Sequence, residues 1–236
     1  MTEYGFTCDS KYVKSIIGAV YMAGVLIGSF IFGVLSDRFG RLKTMMVAIV
    51  TVAISGALGA IPGGGPVWFT MMRFVTGMGS KGLFMVAFVM TIECVGSKAG
   101  TILGIAINMA FALGGMLFAW EAYSTRDWYS LQLLGHLPTL LLLMLWFFVP
   151  ESPRWLIASE QSDIAAKIIN EGAKANKRKT PVHLHLMKEN KKNVQKEDQK
   201  VTVLDLFRHP TIRLRTLNLF FQWFGITLCY YGKHLL

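Results

Sequence analysis

Five long stretches of the chain carry no charged residue: 15 to 36, 44 to 72, 99 to 120, 128 to 150 and 216 to 232. A hydrocarbon core about 30 Å thick is crossed by roughly 20 helical residues, and most of these stretches reach that length. The second is broken by PGGGP at 62 to 66, so the region 44 to 92 divides into two spans. The runs are too long for barrel strands and lack an alternating pattern, which leaves helices as the way across a bilayer. The reading is six spans, at about 13 to 35, 44 to 61, 67 to 92, 101 to 120, 128 to 149 and 216 to 232. With 53% hydrophobic and 16% charged residues, the chain reads as an all-α membrane protein.

A formal charge of +10 would suit nucleic acid if it were gathered on one folded face, so its distribution matters. If the turn at 36 to 43 faces the cytosol, parity puts 18 bases on that side and only Lys11, Lys14, Arg126 and Lys233 on the other. Bases close to span ends carry the orientation signal, and Arg38, Arg41, Lys43, Arg154, Arg213 and Arg215 all qualify. The positive charge is then an inside bias, and no nucleic-acid partner is expected. The implied layout is an extracellular stub over 1 to 12, five spans over 13 to 149, a cytoplasmic insert over 150 to 215 and a sixth span from 216. The apolar start is too long for a cleaved signal peptide. Cys8, Cys94 and Cys229 form no disulfide framework.

Within the insert, Ile164, Ile168 and Ile169 recur at helical spacing behind candidate serine caps, predicting one short amphipathic helix. Residues 177 to 200 hold eight bases and three acids and read as a solvated loop, with His183 and His185 lacking a third metal ligand. Leu204, Phe207, Ile212 and Leu214 beside Arg213 and Arg215 suit an interfacial segment leading into the last span. Gly24 and Gly28 form a small-xxx-small pair that lets two helices approach closely. No cofactor or metal site is expected, and without a triad, metal cluster or phosphate loop the sequence does not read as an enzyme.

The turn GVLSDRFGRLK, residues 33 to 43, is short enough to make its flanking spans antiparallel neighbours. Gly40 can take positive φ and reverse the chain. The bases fix orientation, but Asp37 opposes it and calls for a cation or a helix N-terminus as partner. This stretch resembles the G-x-x-x-D-R-x-G-R-(R/K) pattern of the major facilitator superfamily. PESPRWL at 150 to 156 is shared by that superfamily's sugar porters and its organic cation/anion/zwitterion transporters. RFVTGMGSKG at 73 to 82, IECVG at 92 to 96, RDW at 126 to 128, and LFRHPTIRLRTLNLFFQWF from 206 followed by YYG at 230 are similar to the organic cation transporters in particular.

The resemblance implies a partial major facilitator fold matching the family's second through seventh spans. It implies transport of small organic cations, or related organic ions and zwitterions, across the plasma membrane by alternating access. Asp37, Arg38, Gly40, Arg41, Arg73, Glu93, Glu151 and Arg154 would supply a cytoplasmic gate of salt bridges, and Lys81, Phe84, Asn108, Trp223 and Tyr230 the substrate site. Two departures stand out: Leu42 replaces a usual base, and Gly100 replaces the arginine that follows Glu93 in the family pattern, which implies a weaker lock. Cys8 would lack the partner it has in relatives.

Arg73 and Lys81 fall inside a span, where a central charge costs at least about 2.5 to 3.5 kcal/mol and demands a partner or a wet cavity. Arg73, near the span end, has the means to snorkel. Lys81, eight residues deeper, is either an exchangeable counter-charge or one side of a structural ion pair. Aromatic faces attract quaternary and protonated amines by about 0.5 to 2 kcal/mol each, the physical reason to place Phe84, Trp223 and Tyr230 at the site. Trp128, Trp146 and Trp155 read as packing or interface residues, and His136 as a hydrogen-bonded helix histidine. The expected partners are the bilayer, a small organic ion and, if the chain is a truncated isoform that does not transport alone, full-length transporter subunits. A sugar-porter-like facilitator is the alternative within transport.

Overall fold

The computed structural model describes residues 11–61, 63–95, 97–125, 127–177 and 210–235. The chain forms two compact units, Met1–Val182 and His183–Leu236. Helices α1 (Lys11–Phe39), α2 (Arg41–Gly59), α3 (Gly65–Cys94) and α4 (Ser97–Ser124) are followed by α5 (Trp128–His136), a 3-10 segment (Leu137–Met144) and α6 (Leu145–Phe148). Two short helices, α7 (Pro153–Ala158) and the amphipathic α8 (Ser162–Ala175), complete the first unit, and α9 (Pro210–Leu235) is the described part of the second.

Five stretches among the described residues are long and apolar enough to cross a membrane: Ser15–Phe39, Arg41–Gly59, Gly65–Cys94, Ile102–Ser124 and Trp128–Phe148. The sixth expected span, 216 to 232, is helical within α9 but is not among the five, because Asn218, Gln222 and the ring hydroxyls dilute its hydropathy. The fifth span departs from the single helix expected over 128 to 149. Pro138 has no N–H to give to Leu134 and its ring would press on that carbonyl, so the helix tightens to 3-10 for eight residues.

α2 is the central helix, with 61% of its apolar window buried, while α4 buries none of its window in the chain and turns its apolar side chains outward. Its core contacts run from Leu42, Met45 and Ile49 to Val86 and Met90 of α3, with Leu143, Leu145 and Val149 packed against them. α1 crosses α3 at the expected glycine pair: Gly24 lies on the backbone of Phe74 and Gly28 on that of Met78, positions where no side chain fits. Gly56 of α2 receives the His136 ring in the same manner, and His136 Nδ1 donates to the Gln132 carbonyl at 2.7 Å. That is the hydrogen-bonded helix histidine the sequence suggests. α8 forms where expected, but its N-cap is Gln161 and no serine side chain caps it. The N-terminal stub to residue 10, Cys8, His183, His185, Arg126 and the basic loop lie outside the described residues.

Candidate functional site

Gly40 joins α1 to α2 with φ 104°, a conformation other residues adopt only under strain. The turn is so tight that the first amides of α2 have no partner in their own helix. The Glu151 carboxylate, 110 residues on, meets them: Oε1 accepts from Arg41 N at 3.0 Å and Leu42 N at 3.1 Å, and Oε2 from Leu42 N at 3.1 Å. An anion there also faces the positive end of the helix dipole. A Cβ on residue 40 would stand 2.5 Å from Glu151 Oε2, so space as well as φ demands glycine.

The Arg41 side chain turns to α3. Its Nε and Nη2 donate to Glu93 Oε2 and Oε1 at 3.1 Å each, a bidentate pair. Nη1 reaches Asp37 Oδ1 at 3.0 Å and the Ser36 carbonyl at 2.9 Å. The Arg41 and Glu93 side chains are 11% and 15% exposed and Asp37 is 77% exposed, so the pair with Glu93 is the stronger of the two.

The segment 150 to 156 ties the remaining ends together. Ser152, fully buried, donates its hydroxyl to Glu93 Oε2 at 2.6 Å, and Ser152 Oγ caps α7 by accepting from Trp155 N at 3.3 Å. Pro153 opens α7, a position where a missing N–H costs nothing. Trp155 Nε1 donates to the Asp37 carbonyl at 2.8 Å. The ends of α1 and α3, the start of α2 and α7 are thereby held at one end of the unit.

Asp37, Gly40, Arg41, Glu93 and Glu151 thus come together. Arg38 lies over the Phe39 ring at 5.6 Å, and Arg154 is exposed; neither has a carboxylate partner among the described residues. The grouping of Arg73 with this cluster is corrected: it precedes Glu93 by twenty residues of one helix, about 30 Å along the axis, and its guanidinium stacks on Phe69 at 5.1 Å. Gly100 has open space around it and brings nothing to the cluster. Ser152 and Trp155 were missed. The spacing of Ser152 one residue before Pro153 is a cap signal that points to the first; Trp155 reads locally as a packing or interface residue, and nothing in its neighbouring sequence points to Asp37.

Further along α3, Lys81 Nζ sits 5.6 Å from the centre of the Phe84 ring, which stacks with Phe88 at 6.3 Å. Among the described residues no carboxylate pairs with Lys81, so the structural ion pair is not realised there. Phe84 and Phe88 line an open cavity of about 240 Å³ together with Met45, Ile49 and Leu142. Asn108, on α4, spends its amide on the Gly104 carbonyl at 2.8 Å and is exposed. Trp223 is 66% exposed on α9, and the Tyr230 side chain lies outside the described residues.

The family described as "Sugar (and other) transporter" matches residues 1–233. The chain is 36% identical to the organic cation transporter protein of Drosophila melanogaster, over 98% of its own length and 43% of the relative's. It is 35% identical to solute carrier family 22 member 3 of Rattus norvegicus, over 98% of its own length and 41% of the relative's. It therefore spans less than half the length of these curated relatives. Among solved structures it resembles the xylose transporter XylE from E. coli in a partially occluded inward open conformation, with a TM-score of 0.65 and 24% identity over 79% of this chain and 48% of that one. At that identity the likeness is one of fold.

Proposed function

The chain belongs to the sugar (and other) transporter family, on the organic cation transporter side of the major facilitator superfamily, and from that premise we propose that it forms most of one half of an alternating-access carrier for small organic cations. The observation that carries this reading is the charged cluster. It fastens four chain segments at one membrane face through one bidentate ion pair, one helix-end carboxylate and two side-chain hydrogen bonds. The Glu151 and Ser152 contacts can form and break within a transport cycle without parting Arg41 from Glu93, so the cluster acts as the cytoplasmic gate: closed as described, open when α7 leaves the α2 terminus.

The Phe84 ring already carries an ammonium, that of Lys81, and so offers a cation-accepting face. In the proposed cycle an organic cation takes that face and Lys81 turns away, with Asn108 as a further wall residue. The proposed location is the plasma membrane. On its own the 236-residue chain does not transport, because the site is shared with a second half, and full-length transporter subunits are its proposed partners. The family description and the xylose-transporting neighbour favour sugar as the second reading.

The test is uptake of labelled tetraethylammonium in cells. The chain alone should match mock cells, and co-expression with the remaining segment of a curated relative should give saturable uptake that other quaternary amines inhibit and glucose does not. Saturable uptake by the chain alone refutes the shared site, and inhibition by glucose but not by amines refutes the cation reading.

A further inference from the structure

Residues 137 to 144 are an eight-residue 3-10 run inside a membrane-crossing stretch, twice the length such runs usually reach, and a 3-10 stretch within a helix commonly marks a hinge. Its far end feeds α6, Val149 and Pro150 directly into Glu151, the carboxylate seated on the α2 terminus. We propose that this run is a length-adjustable strut, which draws Glu151 off α2 when it rewinds to α-helix.

The geometry sets the stroke. A 3-10 helix rises about 2.0 Å per residue and an α-helix about 1.5 Å, so rewinding eight residues shortens the span by about 4 Å. The Glu151 oxygens hold the Arg41 and Leu42 amides at 3.0 to 3.1 Å, and a displacement of about 4 Å takes them out of hydrogen-bond range. The stretch is held in the long form by two groups. Pro138 denies the α-helical bond to Leu134, and the Thr139 hydroxyl donates to the His136 carbonyl, serving an acceptor that an α-helix would give to the amide of residue 140.

Room for the motion exists beside it. Rewinding also turns the far end through about 160°, which must carry Leu142 to a new direction. Leu142 and Leu145, three apart as a 3-10 helix aligns them, already border the cavity of about 240 Å³ against α2 and α3, so the swing of a leucine meets space rather than packed atoms.

The strut rests on the gating reading only for what the motion achieves. The test uses the whole chain in lipid nanodiscs with its native cysteines replaced by serine. One pair of spin labels sits at the exposed positions Leu134 and Phe148, bracketing the strut; a second pair, Arg38 and Arg154, brackets the cluster. Pro138→Ala should shorten the first distance by at least about 4 Å, the swing of the Phe148 label adding to the axial shortening, and lengthen the second by about 4 Å. Thr139→Val, which leaves the proline in place, should move both in the same directions by less, and decides the matter if Pro138→Ala does not fold. An unchanged first distance in the folded variants overturns the strut. A shortened first distance with an unchanged second overturns its link to the cluster. Neither distance depends on transport, so failure of the cation reading in the uptake assay would be seen separately.

Discussion

Glu93→Gln is the substitution that weighs the cluster most directly, because it removes one charge and keeps the shape. Hydrogen bonds to charged groups contribute about 1.5 to 3 kcal/mol each, and Arg41 gives Glu93 two of them, at 3.1 Å. The amide keeps one oxygen for Arg41 or Ser152, so part of the network survives, and Arg41 retains Asp37 and the Ser36 carbonyl. The side chains of the pair are 11% and 15% exposed, nearer the buried regime, where breaking a pair costs about 3 to 5 kcal/mol, than the surface regime of about 0 to 1 kcal/mol. A loss of about 2 to 3 kcal/mol follows. Asp37→Asn, at a carboxylate 77% exposed, should cost no more than about 1 kcal/mol. Unfolding of the chain by SDS titration in bicelles, followed by tryptophan fluorescence, reads both. A cycle of Arg41→Ala and Glu93→Ala should show a coupling well above the roughly 0.5 kcal/mol scatter of independent sites. If Glu93→Gln costs no more than Asp37→Asn, or the cycle is additive, the pair is not what holds α2 to α3.

Gly40→Ala should cost about 1 to 3 kcal/mol in the same titration, from the φ of 104° together with the displaced Glu151, and a neutral result would mean the turn relaxes at no cost. Gly28→Leu drives a side chain into the Met78 backbone and should lose at least about 1 to 3 kcal/mol, whereas Gly100→Ala, in open space on a helix, should be neutral or gain up to about 1 kcal/mol; equal effects would contradict the α1 to α3 crossing. The Asp127 carboxyl, which caps α5, is held below the usual carboxylate range by the Ser130 amide and then the Ser130 hydroxyl. A depressed folded value means the cap is fully stabilising above the ordinary carboxylate pKa of about 3.9 and is lost as pH falls through the lower folded value. Amide exchange in the first turn of α5, corrected for intrinsic rates, should therefore quicken below about pH 4, and Asp127→Ala should abolish that dependence.

What could be read from the sequence follows a physical division. Helix number, the glycine crossing at Gly24 and Gly28 and the reversal at Gly40 depend on length, bulk and φ, which are local properties. The meeting of Asp37, Arg41, Glu93 and Glu151 was legible only through a family resemblance, since the partners lie up to 110 residues apart. Arg73 went astray because a charge in a span looks the same at either end; counting the rise of α3 separates them. The 3-10 run was hidden by the leucines around it, which suit an α-helix, although Pro138 was in plain view. Ser152 and Trp155 act through a carboxylate and a carbonyl that no local pattern announces.

Leu42 and Gly100, the two departures from the family pattern, make sense together once the cluster is seen. Leu42 is buried in the core, so a second base there would have to be desolvated without an added acid. Without it, and without a base at 100, the cluster holds three carboxylates, of which Asp37 and Glu93 pair with the one guanidinium of Arg41. The excess negative charge is met without further bases: Glu151 is neutralised by helix amides, Glu93 gains the Ser152 hydroxyl, and Asp37 stays in water. Glu151 is thus held by amides while Asp37 and Glu93 both pair with Arg41, and Arg41 is where the separate contacts converge. In the proposed gate, moving α7 would undo the amide and hydroxyl contacts at once and leave the Arg41 to Glu93 pair intact, so that opening would not expose a bare guanidinium.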